Sequence, residues 1–121
     1  MNLVTILTII VIHWFADFVC QTDEDAKGKS KNWSNLLSHT SSYSFVWLCI
    51  SIFMVGFTGN NYLLLFAPIT FIVHTITDYY TSRINSQLHA DGKIHEFFVA
   101  IGFDQVLHYI QLFITYYYLT K

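Results

Sequence analysis

The sequence predicts an all-α polytopic membrane protein, an antiparallel bundle of four transmembrane helices forming one domain over residues 1–121. Three observations lead there. The composition is 54% hydrophobic and only 12% charged, with a mean hydropathy of +0.44, whereas a soluble domain carries about twice that charge. The apolar residues run in four continuous stretches, approximately 3–20, 40–57, 62–80 and 97–119, each close to the ~20 residues that cross a hydrocarbon layer as a helix. These runs do not alternate apolar with polar residues, which excludes a barrel strand reading. The formal charge of −2 and the lack of a basic stripe exclude a nucleic-acid-binding surface.

The first stretch lacks the basic leader and small-residue cleavage pattern of a signal peptide and carries His13 and Asp17, so it is expected to remain as a span. The polar connection after it holds Lys27, Lys29 and Lys31, and Asn32 or Ser34 is placed to cap the next helix. Gly56 and Gly59 are expected to break the second span before a short turn. Pro68 is expected to kink the third span one to two turns before His74. Trp33, Tyr79, Tyr80 and Tyr116 to Tyr118 fall near span ends, where aromatic rings favour the interface. Two cysteines are too few for a disulfide framework, and Cys49 reads as an apolar filler.

Five of the six basic residues lie in the first and third connections, the third holding Arg83 and Lys93. The positive-inside rule places both connections in the cytoplasm and both termini outside an inner (cytoplasmic) membrane.

Three aspartates sit within these apolar stretches, each four positions from a histidine: His13/Asp17, His74/Asp78 and Asp104/His108. Positions i and i+4 share a helix face. The antiparallel order brings all three pairs, together with His39, to the cytoplasmic half of the bilayer. The same stretches contain no lysine or arginine, and buried unpaired carboxylates are too costly to keep. Protons or a metal cation must therefore sit among them. An isolated His/Asp pair most often just hydrogen-bonds or joins helices, but three pairs plus His39 at one depth favour a metal. Histidine with carboxylate suits zinc, iron, manganese or nickel, and the absence of a thiolate cluster argues against a structural cysteine-zinc site.

The expected ligands are His13, Asp17, His39, His74, Asp78, Asp104 and His108, holding one or two divalent transition-metal ions, with zinc favoured. Two divalent ions against three aspartates need only one further anion to approach neutrality. Asp17, Asp78 and Asp104 are the candidate catalytic residues, and one of them could act as general base rather than ligand. Gln21, Ser42 and Gln105 stand beside the ligands, with Ser38, Ser41 and Gly102 small enough to let helices approach. Lys27, Lys29, Arg83 and Lys93 are placed to gather an anion, although such residues most simply set topology. His89 reads as a solvated histidine and His95 as an interfacial one.

The stretch His13-Trp14-Phe15-Ala16-Asp17-Phe18-Val19-Cys20-Gln21-Thr22-Asp23 resembles the opening of the domain of unknown function 3307 family, small integral membrane proteins of bacteria and their phages. Further matches are Ala26-Lys27 with Lys29, Leu36-Leu37-Ser38-His39, His74 to Arg83, and Gly102-Phe103-Asp104-Gln105 with His108. The resemblance implies a multi-span membrane protein, phage- or prophage-encoded among its relatives, and carries no activity with it. A looser similarity is to membrane-bound metal-dependent hydrolases, which also place His and Asp on spanning helices, although this chain lacks their longer His-rich motifs.

The leading expectation is a metal-dependent hydrolase acting on a phosphate-containing lipid or other anionic amphiphile at the cytoplasmic leaflet. The positive helix N-termini and the basic residues on that side support it. One alternative is a metal-ion or proton transporter, working as an oligomer. The other is a non-enzymatic protein acting on the phage host's envelope, with a structural metal.

Overall fold

Helix boundaries in this chain follow its capping side chains. In the computed structural model, which describes residues 1–121, helix α1 spans Leu3–Trp14 and continues as a single π turn over Phe15–Val19. A short helix α2, Asp23–Gly28, is followed by α3, Trp33–Thr58. A 3₁₀ turn over Asn61–Leu65 leads into α4, Phe66–Ala90, and α5 spans Ile94–Leu119. The side chains of Asn2, Thr22 and Asn32 accept from the N–H groups of Thr5, Asp25 and Asn35 at 2.9, 3.1 and 2.8 Å. Each satisfies an otherwise unpaired donor of a first turn. Gly59 closes α3 in the left-handed region, at φ 69°, where a side chain would be strained.

Trp33–Thr58, the rod Asn61–Ala90 and Ile94–Leu119 are long and apolar enough to cross a membrane, while Leu3–Val19 is a shorter apolar helix. Consecutive long helices run antiparallel, and the amide of Asn60 donates to the Leu119 carbonyl at 2.8 Å, joining the α3–α4 turn to the end of α5.

The partition of side chains is inverted relative to a soluble protein. Fourteen buried residues are polar or charged against nine that are apolar, while Phe45, Phe53, Ile72, Ile76, Phe103 and Ile110 stand exposed on the outside. An apolar exterior of this extent suits lipid as solvent. The apolar interior is concentrated in one cluster of Ile9, Ala16, Tyr43, Trp47, Phe66 and Leu112.

The helices outrun the expected spans at one end. α3 starts at Trp33 rather than residue 40, and α4 continues to Ala90 rather than residue 80. Hydropathy marks only the apolar part of each rod, whereas the cap of Asn32 and the turn at Gly92 (φ 71°) set the actual limits. Gly56 does not break α3 but lies within its last turn. Pro68 stands in the first turn of α4, where a missing N–H does little harm. The irregularity lies just before it, in the 3₁₀ turn.

Candidate metal centre

Each helix brings its polar residues to the same interior layer. On α1 the π turn carries Asp17, and its neighbour Ala16, only 1% exposed, lets α3 approach closely. Such π turns recur where a helix must re-aim a functional side chain. Asp17 leaves its own pair, standing 3.6 Å from His13 Nε2 but 3.0 Å from His39 Nε2 on α3. From α4, His74 and Asp78 enter the layer one turn apart, and from α5 Asp104 and His108 do the same. All seven side chains are buried.

Two sets of donor atoms form. The first is Asp17 Oδ1, His39 Nε2, His74 Nε2 and Asp78 Oδ2. Within it His39 lies 3.0 Å from Asp17, 3.1 Å from His74 and 3.2 Å from Asp78, and His74 lies 3.5 and 3.3 Å from Asp17 and Asp78. A tetrahedral zinc ion with bonds of about 2.0–2.1 Å spaces its ligand atoms about 3.3 Å apart. These five edges match that spacing. A hydrogen bond accounts for the His39–His74 contact but not for those of Asp17, whose Oδ1 has no hydrogen-bond partner although two imidazole nitrogens face it. Nδ1 of His39 and of His74 also meets no protein partner.

The second set is His108 Nε2, Asp78 Oδ1 and Asp104 Oδ1, with His108 at 3.1 and 3.3 Å from the two carboxylates. Asp104 Oδ1 is again buried and unpartnered. Asp78 therefore belongs to both sets, one oxygen to each. The donor chemistry fits divalent transition metals.

His13 enters neither set. Gln105 Oε1 accepts from His13 Nε2–H at 2.7 Å, which leaves Nδ1 to accept from the Tyr43 hydroxyl at 2.8 Å. Gln105 Nε2 in turn donates to Asp104 Oδ2 at 3.1 Å, leaving Oδ1 turned to His108. This chain from Tyr43 through His13 and Gln105 orients a carboxylate, as partners of metal ligands commonly do. Tyr43 also stacks on the His74 ring, with centroids 3.9 Å apart. Of the other residues expected beside the ligands, Gln21 has a buried Oε1 without a partner, and Ser42 is half-buried without a polar contact.

The absence of basic partners for the carboxylates, expected from the apolar stretches, does not hold in three dimensions. Lys29 Nζ donates to Asp78 Oδ2 at 3.2 Å. The lysine lies outside the spans and reaches in because the connection folds into α2. Ser38 Oγ donates to Asp25 Oδ2 at 2.7 Å, and Gly28 packs on Asn35 so closely that a Cβ would fall 1.6 Å from its Nδ2. Burial alone would lower the pKa of the Lys29 ammonium, but Asp78, Asp17 and Asp104 outweigh burial and hold it above the usual lysine value. Both α2 and this ion pair were missed from sequence. The only signal for them was Thr22 followed by three acidic residues, a helix-start pattern.

Beside the layer lies a cavity of about 460 Å³ whose walls include Asp17, Asp104, Lys27, Lys29 and Lys31. His89 also lines it, packed edge-on against Phe97. Arg83 is turned away, stacked 3.7 Å over the Tyr79 ring and bonded to the Tyr79 carbonyl. Lys93 and His95 are exposed outside the cavity.

Residues 4–121 match the family described as protein of unknown function (DUF3307), and the chain belongs to that family. No curated protein and no solved structure matches the chain.

Proposed function

We propose that this DUF3307 family member is a metal-dependent membrane hydrolase that acts on a phosphate-containing lipid or other anionic amphiphile. The observation that carries the reading is the division of Asp78 between a four-donor and a three-donor set, the latter with a protein ligand missing. Sites with four protein ligands are closed and structural, whereas three-ligand sites leave a position for water or substrate. Zinc is the preferred ion, on the histidine-carboxylate donor set and the tetrahedral spacing.

A metal held by His and Asp supplies Lewis-acid polarisation of a phosphoryl oxygen and activation of water. The chain's own groups do the rest. His39, His74 and Asp17 fix one face of the layer, and Gln105 holds Asp104 in register against His108. Lys27, Lys29 and Lys31 give the adjoining cavity a positive wall that favours an anionic headgroup. Phe18, Phe97 and Ile101 in the same wall offer apolar contact to the adjoining chain of an amphiphile.

The grouping of lysines at this end supports placing the cavity in the cytoplasmic half, with four crossings and both termini outside. A transport path needs polar groups on both sides of the layer, and the packing of Ile9, Trp47, Phe66 and Leu112 toward the opposite end weighs against one.

The test is phosphate release from vesicles containing a phosphomonoester lipid, by detergent-purified and reconstituted protein. Activity that requires zinc and disappears in Asp104→Asn supports the proposal. Zinc-loaded, folded protein that is inactive on phosphomonoester and phosphodiester lipids alike overturns it.

A further inference from the structure

The contact of Lys29 with Asp78 is a built feature to which the proposed chemistry gives no role. Lys29 is the only ammonium in contact with the layer, and it touches Asp78, the residue common to both donor sets. Its side chain is 20% exposed against 2% for Asp78 and also lines the basic cavity, so it stands at the boundary between the two. Its reach depends on a specific clasp, the Ser38–Asp25 bond and the contact of Gly28 with Asn35. A lysine serving only to set topology has no need of either.

The charges define what Lys29 does there. Asp17, Asp78 and Asp104 bring three negative charges, a histidine binds metal in its neutral form, and Lys29 brings one positive charge. One divalent ion with Lys29 in place makes the layer neutral. A second ion with Lys29 still in place leaves two uncompensated positive charges in a buried site, which is strongly disfavoured.

We infer that Lys29 is an internal, displaceable cation: it occupies Asp78 while the layer is underfilled, and full metal loading moves it into the cavity to bind the anionic group of the substrate. The inference rests on the metal reading above and assigns that site its regulation. The four-carbon stem of lysine allows the shift by rotation about side-chain bonds alone. By reciprocity, an anion that holds Lys29 in the cavity strengthens metal binding by the same factor that metal strengthens the anion.

The experiment is zinc titration of the detergent-solubilised full chain against a chromophoric chelator, for the wild type, Lys29→Met and Lys29→Arg. Lys29→Met is expected to bind zinc about tenfold more tightly at saturation, with Lys29→Arg close to wild type. Inorganic phosphate is expected to tighten zinc binding in the wild type and to do so less in Lys29→Met. A second measurement needs no variant. Amine acetylation, read by mass spectrometry with Lys27 and Lys31 as internal references, is expected to be slow at Lys29 in chelated protein and to rise to theirs in zinc-saturated protein. Unchanged or weaker zinc binding in Lys29→Met overturns the inference, because Lys29 would then support the ligands rather than compete with them. Equal protection of Lys29 with and without zinc does the same. Both results leave the hydrolase reading standing if lipid phosphate is still cleaved, whereas wild type that binds no zinc at all removes both.

Discussion

At the end of the bundle that carries α2, the interior is Asp17, His39, His74, Asp78, Asp104 and His108, whereas toward the chain termini it is Ile9, Trp47, Phe66 and Leu112. Helices α1, α3, α4 and α5 all contribute to both regions, so backbone geometry does not distinguish them. The apolar end also has a cavity, of about 230 Å³, but it is walled mainly by residues such as Val4, Ile12, Ile50 and Met54. The unpartnered buried polar atoms there are uncharged, such as Trp47 Nε1. At the polar end, by contrast, three carboxylates meet one ammonium, and two carboxylate oxygens have no hydrogen-bond partner at all. A region that packs for stability alone has no reason to accumulate such a deficit. That contrast supports the proposal that the polar end holds a cation.

The strongest way to break this comparison is to remove the residue that both donor sets share. Asp78→Asn is expected to abolish stoichiometric zinc binding, read by elemental analysis after gel filtration, and to bring phosphate release to background. Next, Asp104→Asn should spare the four-donor set, retaining one tightly bound zinc while lipid phosphate release falls at least about 100-fold. Zinc retained at an unchanged stoichiometry, with full activity, would mean that Asp104 lies outside the centre.

The apolar end should respond in the opposite sense. Leu112 is fully buried, and Leu112→Ala is expected to cost about 2–5 kcal/mol of stability in detergent unfolding without altering zinc stoichiometry. Chelation sharpens the same contrast. Removing zinc should lower the unfolding temperature of wild type and of Leu112→Ala alike, and leave that of Asp78→Asn unmoved. The smallest effect is expected from Asn32→Ala, which deletes the cap of α3 and should cost about 1 kcal/mol. That variant is read by the same unfolding curve and should keep its zinc.

What the sequence revealed, and what it hid, follows the same division. The helical class was legible in four apolar runs, and the meeting of Asp17, His39, Asp78 and His108 was legible from i, i+4 spacing combined with antiparallel order. Those signals are periodic and local. The reach of Lys29 was not legible, because it depends on how α2 folds back onto α3 through Gly28 and Ser38, a contact with no periodic trace. The separation of His13 from Asp17 was hidden for a related reason. A π turn re-aims Asp17 toward His39, and Tyr43 and Gln105 take both His13 nitrogens. Helix length was underestimated at the α2 end because hydropathy fades there while the caps do not.

The central claim is that a cation binds where these carboxylates converge. It is tested most directly by the metal content of wild-type and Asp78→Asn protein purified in parallel from detergent. At least one divalent transition-metal ion per wild-type chain and none in the variant is the expected result. Folded wild type free of metal after incubation with zinc, or equal metal in both proteins, would contradict it.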